Sequence, residues 1–302
     1  MFRKILLVTL LISLLTACSA IAPASGNLTF TDGLGREVTL DGPAQRIVSL
    51  APSNTEILYA IGAGSQVVGR DALSDFPEEA KTAADIGMTF DALNTELIVS
   101  LKPDLVLLAE INPTEQVKQL EDLGLTVYYL KNPLTLEEMY SNLEIVAQLT
   151  GHEEETATLI ESLKARVAAV DEKIAPISSR PSIFYELDAT DPAKPFTAGK
   201  GTFITQLIDR AGGHNIAADL DGYPQMSLEQ VVAADPAFII LGDARYGVSA
   251  ESIAQRPGWE NLTAVKSGHV LPFNDDLVSR PGPRLVDALE ELAKLMRPEL
   301  FQ

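Results

Sequence analysis

Sulfur and basic side chains are what this chain has least of. Its 302 residues include one cysteine, Cys18, so neither an internal disulfide framework nor a thiolate metal cage can form. The three histidines, His152, His214 and His269, include no pair with i, i+4 spacing, and each follows a glycine at the edge of an element, which suits surface or capping roles. Lysine and arginine number 23 against 42 acidic residues, and the net charge of −19 with dispersed bases excludes a large nucleic-acid surface. There is no G-x-S-x-G elbow. The segment AGKGT, Ala198 to Thr202, lacks the spacing and the hydroxyl residue of a phosphate loop, and GAGSQVVG, Gly62 to Gly69, lacks dinucleotide spacing. What the chain does have is 46% hydrophobic residues, enough for the cores of two domains.

The N-terminus points to a compartment. Arg3 and Lys4 precede ILLVTLLISLL, Ile5 to Leu15, an apolar run too short to span a bilayer that fits the core of a secretory signal. Leu15-Thr16-Ala17-Cys18 follows and resembles a bacterial lipobox, which implies cleavage of residues 1–17 and diacylation of Cys18. Loss of Arg3 and Lys4 with that segment takes the charge from −19 to −21, so acyl chains rather than the protein surface would hold the chain to an anionic membrane. Residues 18–27, rich in Ala, Ser, Pro and Gly, read as a tether.

A repeat defines the rest. NTELIVSLKPDLVLL, Asn94 to Leu108, returns in the second half of the chain as SLEQVVAADPAFIIL, Ser227 to Leu241. Each copy places a cap-type residue before a short helix, a glutamate two positions in (Glu96, Glu229), a helix-ending proline (Pro103, Pro236) and an apolar strand. Two copies in register imply two similar lobes.

The first lobe, 28–134, opens with a hairpin in Leu28 to Leu40 and continues with the strand Arg46 to Ala51 and a helix from Thr55 to Ile61 capped by Ser53 or Asn54. A helical segment, 135–176, follows, interrupted by Gly151; Leu159, Leu163, Val167 and Val170 mark its second part as a long amphipathic helix and a stiff connector. The second lobe, 177–302, restarts at SIFYEL, Ser182 to Leu187, and closes with a helix from Arg284 to Leu295. Alternating strands and helices predict an α/β fold, two lobes with mostly parallel sheets joined by one long rigid helix. Ligands of such sheets bind beyond the carboxyl ends of strands, so the expected site is a cleft walled by the segments after Leu50, Leu108, Leu187, Leu241 and Phe273.

Five segments in order, RIVSLAPSNTEILYAIGAG, LNTELIVSLKPDLVL, PFTAGKGTFITQLIDRAGGHNI, YPQMSLEQVVAADP and SRPGPRLVDALEELA, give the chain a close resemblance to the solute-binding proteins of bacterial ABC importers for cobalamin, haem and iron–siderophores. The resemblance covers nearly the whole chain after the signal segment. It implies an extracytoplasmic, lipid-anchored, monomeric carrier with no catalytic role and no resident cofactor, whose ligand is a cobalamin-type corrinoid or, alternatively, a ferric siderophore or haem. It also implies that Glu96 and Glu229 dock onto arginines of a permease dimer; a carboxylate in a first helical turn suits bidentate arginine bonds, although the residues alone allow each to do no more than support its helix.

Ligand residues follow from the same likeness. Phe196 in KPF and Tyr223 in GYP match aromatic cleft positions, and Arg280 in SRPGPR matches an arginine on the facing loop. Leu73 and, roughly, Asp85 stand where further aromatics are found in the cobalamin carriers. Tyr246 after FIILG can supply stacking area or pack on the surface, and Trp259 suits packing better than ligand contact. An enzyme acting on metal chelates is the competing class and requires cleft acids or histidines with shifted pKa values.

Overall fold

The computed structural model describes residues 27–90 and 92–301. The signal segment, Cys18 and the tether up to residue 26 lie outside the described residues. The strands are β1 (Leu28–Thr31), β2 (Glu37–Leu40), β3 (Ile47–Ser49), β4 (Val67–Arg70), β5 (Ala84–Asp85), β6 (Leu105–Ala109), β7 (Val127–Leu130), β8 (Ser182–Glu186), β9 (His214–Asn215), β10 (Phe238–Leu241) and β11 (Val270–Pro272). The helices are α1 (Pro52–Ala60), α2 (Thr95–Ser100), α3 (Glu115–Glu121), α4 (Leu136–Thr150), α5 (Glu153–Ile174), α6 (Phe203–Arg210), α7 (Leu228–Ala234), α8 (Ala250–Ala254), α9 (Thr263–Lys266), α10 (Asp276–Ser279) and α11 (Leu285–Met296).

Each lobe is built on a parallel sheet. The first has the order β5-β4-β3-β6-β7 and the second β11-β10-β8-β9. With β4-β3-β6-β7 set against β9-β8-β10-β11, the four common strands follow one topology. The two copies of the repeat occupy the same place in it, α2 leading to β6 and α7 leading to β10. Their correspondence extends to the backbone. Asn94 caps α2 by accepting the Leu97 N–H, Ser227 and Gln230 form a capping box on α7, and Lys102 and Asp235 hold positive φ angles of 50° and 39° just before the two prolines. The proline disfavours a right-handed helical conformation at the residue before it, which ends the helix, and the left-handed turn at its C-terminus redirects the chain into the strand.

Side-chain alternation divides each sheet between two cores. Ile47, Leu105, Leu107, Ile183, Tyr185 and Ile240 point to a central cluster that also contains Leu163, Val167, Val170 and Ile174 of α5 and Leu285, Leu289 and Leu292 of α11. The alternate positions point outward: Val48, Val106 and Leu108 pack with Ile98 of α2, and Phe184, Ile239 and Leu241 pack with Val231 of α7. Thus α2 and α7 cover the faces of their sheets turned away from the spine.

Gly151, at φ 78°, ends α4 in the left-handed region, where glycine carries no Cβ penalty, and α5 follows as 22 residues, about 33 Å of helix. Arg166 of α5 reaches Asp287 and Glu290 of α11 at 2.6 and 2.9 Å, and Arg210 of α6 reaches Asp171 of α5 at 2.7 Å, so the spine is tied to the second lobe by charge as well as by apolar contact.

One local expectation is corrected. Neither Ser53 nor Asn54 caps α1: the helix starts with Pro52 at its first position and Ala51 as its N-cap, with no side-chain capping bond. Proline fixes a helical φ and lacks the N–H that would otherwise be unpaired, which moves the start ahead of both polar residues.

Candidate functional site: the interlobe cleft

The carboxyl ends of the two sheets open on one cleft of about 310 Å³. From the first lobe it is lined by Ala51, Pro52 and Ser53 after β3, Leu73 and Asp75 after β4, Ala109 at the end of β6, Ile111 after it, and Asn132 after β7. The second lobe contributes Arg245 and Tyr246 from the turn after β10, and Asp276, Ser279, Arg280 and Pro281 from the segment after β11. Tyr246 is 80% exposed, and the Arg245 guanidinium lies 5.6 Å from its ring centre, so aromatic area is presented to the cleft rather than to a core.

Phe196 and Tyr223 sit on adjoining loops of the second lobe: Phe196 bridges Asp188 on one side and Gln225 on the other. Phe196 is 42% exposed and Tyr223 60%. Tyr223 is close enough to Asp275 to feel its charge; partial burial, and then that carboxylate, raise the phenol pKa. Asp275 in turn accepts the Tyr185 hydroxyl at 2.8 Å, and burial raises its own pKa. Neither Phe196 nor Tyr223 borders the 310 Å³ space that Leu73, Tyr246 and Arg280 line. Asp85 lies outside it as well, pairing with Arg70 at 3.5 Å.

Arg280 is only 8% exposed and is spent within the protein. Its guanidinium reaches Glu56 at 3.2 Å, Asp75 at 2.7 Å and Asp276 at 3.3 Å. Arg284 holds the same Glu56 through two bonds of 2.7 and 2.5 Å while its guanidinium stacks 4.0 Å from the Phe76 ring. Glu56 and Asp75 belong to the first lobe and the arginines to the second, so this cluster is a clamp between lobes. Burial is the largest influence on Glu56 and raises its pKa against the arginines; for Asp75, partial burial also pushes upward, but the Arg280 bond and charge prevail and lower it. Sequence reading missed Glu56, Asp75, Asp276 and Arg245. SNTEILYA places Glu56 on an ordinary helix, and no local pattern announces a partner as distant in the chain as Arg280.

A second acid cluster lies beneath the cleft wall. Glu186, at the end of β8, receives two bonds from Arg256 at 2.6 and 2.9 Å, and Asp243 lies close enough to Glu186 to feel its charge. Burial, then the Glu186 charge, push Asp243 up to about 7. Trp259 is fully buried in this region, against Phe184 and under the Arg256 guanidinium, and is a core residue. AGKGT is likewise structural: a Cβ on Gly199 would lie 2.0 Å from the Leu220 carbonyl oxygen, and Lys200 N–H donates to that same oxygen. Among the described residues no group of three His, Cys, Asp or Glu is placed to hold a metal ion.

On the outer face, Glu96 and Glu229 are exposed in the first turns of α2 and α7, and neither has a hydrogen-bond or ion-pair partner among the described residues. One turn on from each stands an exposed valine, Val99 and Val232, again at matching positions of the repeat. Exposed β-branched residues at both equivalent positions make each helix an acid with an apolar neighbour.

Two lobes of one topology, a rigid helical spine and a cleft at the strand ends define a solute-binding protein of the helical-backbone type. The chain belongs to the periplasmic binding protein family, whose model matches residues 47–277. Over 91% of its length it is 36% identical to the uncharacterised ABC transporter substrate-binding lipoprotein YvrC of Bacillus subtilis, covering 87% of that protein. Among solved structures, the vitamin B12-binding protein BtuF of Vibrio cholerae is 30% identical with a TM-score of 0.72, the match covering 86% of this chain and 99% of that one. The periplasmic haem-binding protein RhuT of Roseiflexus is 29% identical with a TM-score of 0.75, covering 85% and 99%. The protein is therefore the solute-binding component of an ABC importer, of the class that serves vitamin B12, haem and siderophores, and not an enzyme. No helix among the described residues is long and apolar enough to cross a membrane.

Proposed function

We propose that this chain is a monomeric carrier, anchored outside the cytoplasm through acylated Cys18, that captures a corrinoid in the interlobe cleft and delivers it to its permease. The observation that carries the reading is the exposed apolar and aromatic surface that Leu73 and Tyr246 bring to the cleft, with exposed Phe196 and Tyr223 on neighbouring loops of the second lobe, in a fold shared with a vitamin B12-binding protein. A flat macrocycle offers stacking area to such rings, and polar groups of the cleft wall, Asn132 and Arg245, orient it. The metal belongs to the ligand, and the protein needs no cofactor of its own. Haem is the second reading, favoured by the likeness to RhuT and by the exposed phenols of Tyr223 and Tyr246, either of which is the kind of oxygen donor that ligates haem iron.

Docking is assigned to Glu96 and Glu229, with Val99 and Val232 as apolar neighbours. One free carboxylate per lobe suits a two-fold permease that presents arginine to each. The ligand test is fluorescence quenching, corrected for ligand absorption, on titration with cyanocobalamin, haem and a ferric hydroxamate. Saturation by cyanocobalamin alone establishes the corrinoid reading, and saturation by another chelate without it rejects that reading. Reversing both charges, Glu96→Arg with Glu229→Arg, is expected to abolish uptake with ligand affinity unchanged; a loss of affinity instead refutes the docking role.

A further inference from the structure

The four charged side chains that line the cleft cancel: Arg245 and Arg280 are paired with Asp276 and Asp75. Attraction for charge on a ligand must come from elsewhere, and the start of α1 supplies it. This helix has nine residues, and its N-terminal residues Pro52 and Ser53, with Ala51 before them, form part of the cleft wall. No side chain caps it. Pro52 has no N–H, and Thr55 N–H is taken by the Ala51 carbonyl, so the donors left over at this end are the backbone N–H groups of Ser53 and Asn54, which find no acceptor among the described residues.

Ser53 is the independent observation. Only 7% exposed, it lines the cleft and its hydroxyl makes no hydrogen bond to any described residue. A nearly buried hydroxyl that faces a cavity without a protein partner is a group built to meet something in that cavity. Beside it, Asn54 is fully buried and neither polar atom of its amide is hydrogen-bonded. Other polar residues nearby are satisfied: Thr55 bonds Ser49, Ala51 and Ser74.

We infer that the start of α1, through the N–H groups of Ser53 and Asn54 and the Ser53 hydroxyl, is an anion subsite that receives a phosphate or carboxylate group of the cleft's ligand. Backbone donors and the positive end of the helix dipole favour an oxyanion there, and the hydroxyl adds a donor that rotates to suit. The inference rests on the reading of the cleft as the ligand site. In a corrinoid the group is the phosphodiester of the nucleotide arm; in haem it is a propionate. Asp75 and Asp276 also border the cleft, but each is engaged by arginine, which leaves the α1 end as its unneutralised element.

The test uses the full chain in a non-phosphate detergent. Inorganic phosphate is titrated at low ionic strength and followed by its ³¹P line width; cyanocobalamin, dicyanocobinamide, which lacks the phosphodiester, and haem are titrated by fluorescence. Ser53→Asp places a carboxylate where the anion would sit, and because an acid in the first turn favours the helix, its melting temperature should hold or rise while anion binding disappears. Ser53→Ala removes only the hydroxyl and should weaken phosphate broadening a few-fold. Saturable broadening that Ser53→Asp abolishes, with at least about tenfold weaker binding of whichever chelate the wild type takes, supports the subsite. An effect on cyanocobalamin but not on dicyanocobinamide assigns it to the phosphodiester, and an effect on haem assigns it to a propionate. No saturable broadening, equal broadening in Ser53→Asp, or unchanged chelate affinity in that variant overturns it. If no chelate binds the wild type while Ser53-dependent broadening persists, the corrinoid and haem readings fail and the anion subsite stands.

Discussion

Replacing Glu56 by alanine should destabilise the protein by about 3–5 kcal/mol, the cost of breaking a buried ion pair from one side. The side chain is 2% exposed and accepts from Arg284 at 2.7 and 2.5 Å and from Arg280 at 3.2 Å. Burial nevertheless dominates its titration and raises its pKa, so the pair is expensive to assemble and damaging to break. After the substitution Arg280 keeps Asp75 and Asp276, whereas Arg284 has no other carboxylate within bonding distance among the described residues and stays largely buried. Removing Arg284 as well relieves that unpaired charge, so Glu56→Ala with Arg284→Met should be less destabilised than the sum of the single variants by at least about 2 kcal/mol. At ~2–4 °C per kcal/mol for a chain of this size, the melting temperature of Glu56→Ala should fall by roughly 10 °C. Urea melts followed by Trp259 fluorescence and by far-ultraviolet circular dichroism measure all three variants. A loss below about 1 kcal/mol, or strict additivity, would show that the clamp contributes nothing specific and refute the reasoning.

Other outcomes follow from the same geometry. Asp243 binds its proton more tightly folded, at about 7, than unfolded at its ordinary 3.8, so its burial is harmless at acid pH and costs stability progressively as pH rises from the unfolded value to about 7, where the loss levels off. Asp243→Asn should therefore be more stable than the wild type at pH 8, by an amount on the order of a few kcal/mol that shrinks toward pH 4; a variant less stable at pH 8 contradicts this. Trp259→Ala empties a fully buried site against Phe184 and should cost about 3–5 kcal/mol in melts followed by circular dichroism, with a loss under about 1 kcal/mol as the contrary result. Tyr246→Ala, at an 80% exposed position, should leave the melting temperature unchanged yet weaken chelate binding about tenfold; equal affinity would remove Tyr246 from the ligand site.

By itself the sequence determined the architecture, because the architecture is written in local patterns: apolar strands, a helix interruption at Gly151, and a helix-to-strand unit present once in each lobe, whose caps the structure reproduces. It also placed the cleft, since parallel α/β sheets gather their loops at the strand ends. The tertiary structure decided the state of each side chain there. Arg280 is legible in SRPGPR as a charged residue near the cleft, but only the packing of the lobes brings Glu56 and Asp75 to it and turns a candidate ligand contact into part of a clamp. Ser53 and Asn54 read as helix caps, and become orphan polar groups at the cleft because Pro52 starts α1 before them. Asp243 looks like any of 42 acids until β8 and β10 set Glu186 beside it in a buried region. The division has one physical cause: backbone propensity and apolar periodicity act over a few residues, whereas desolvation and charge pairing depend on groups brought together from distant parts of the chain.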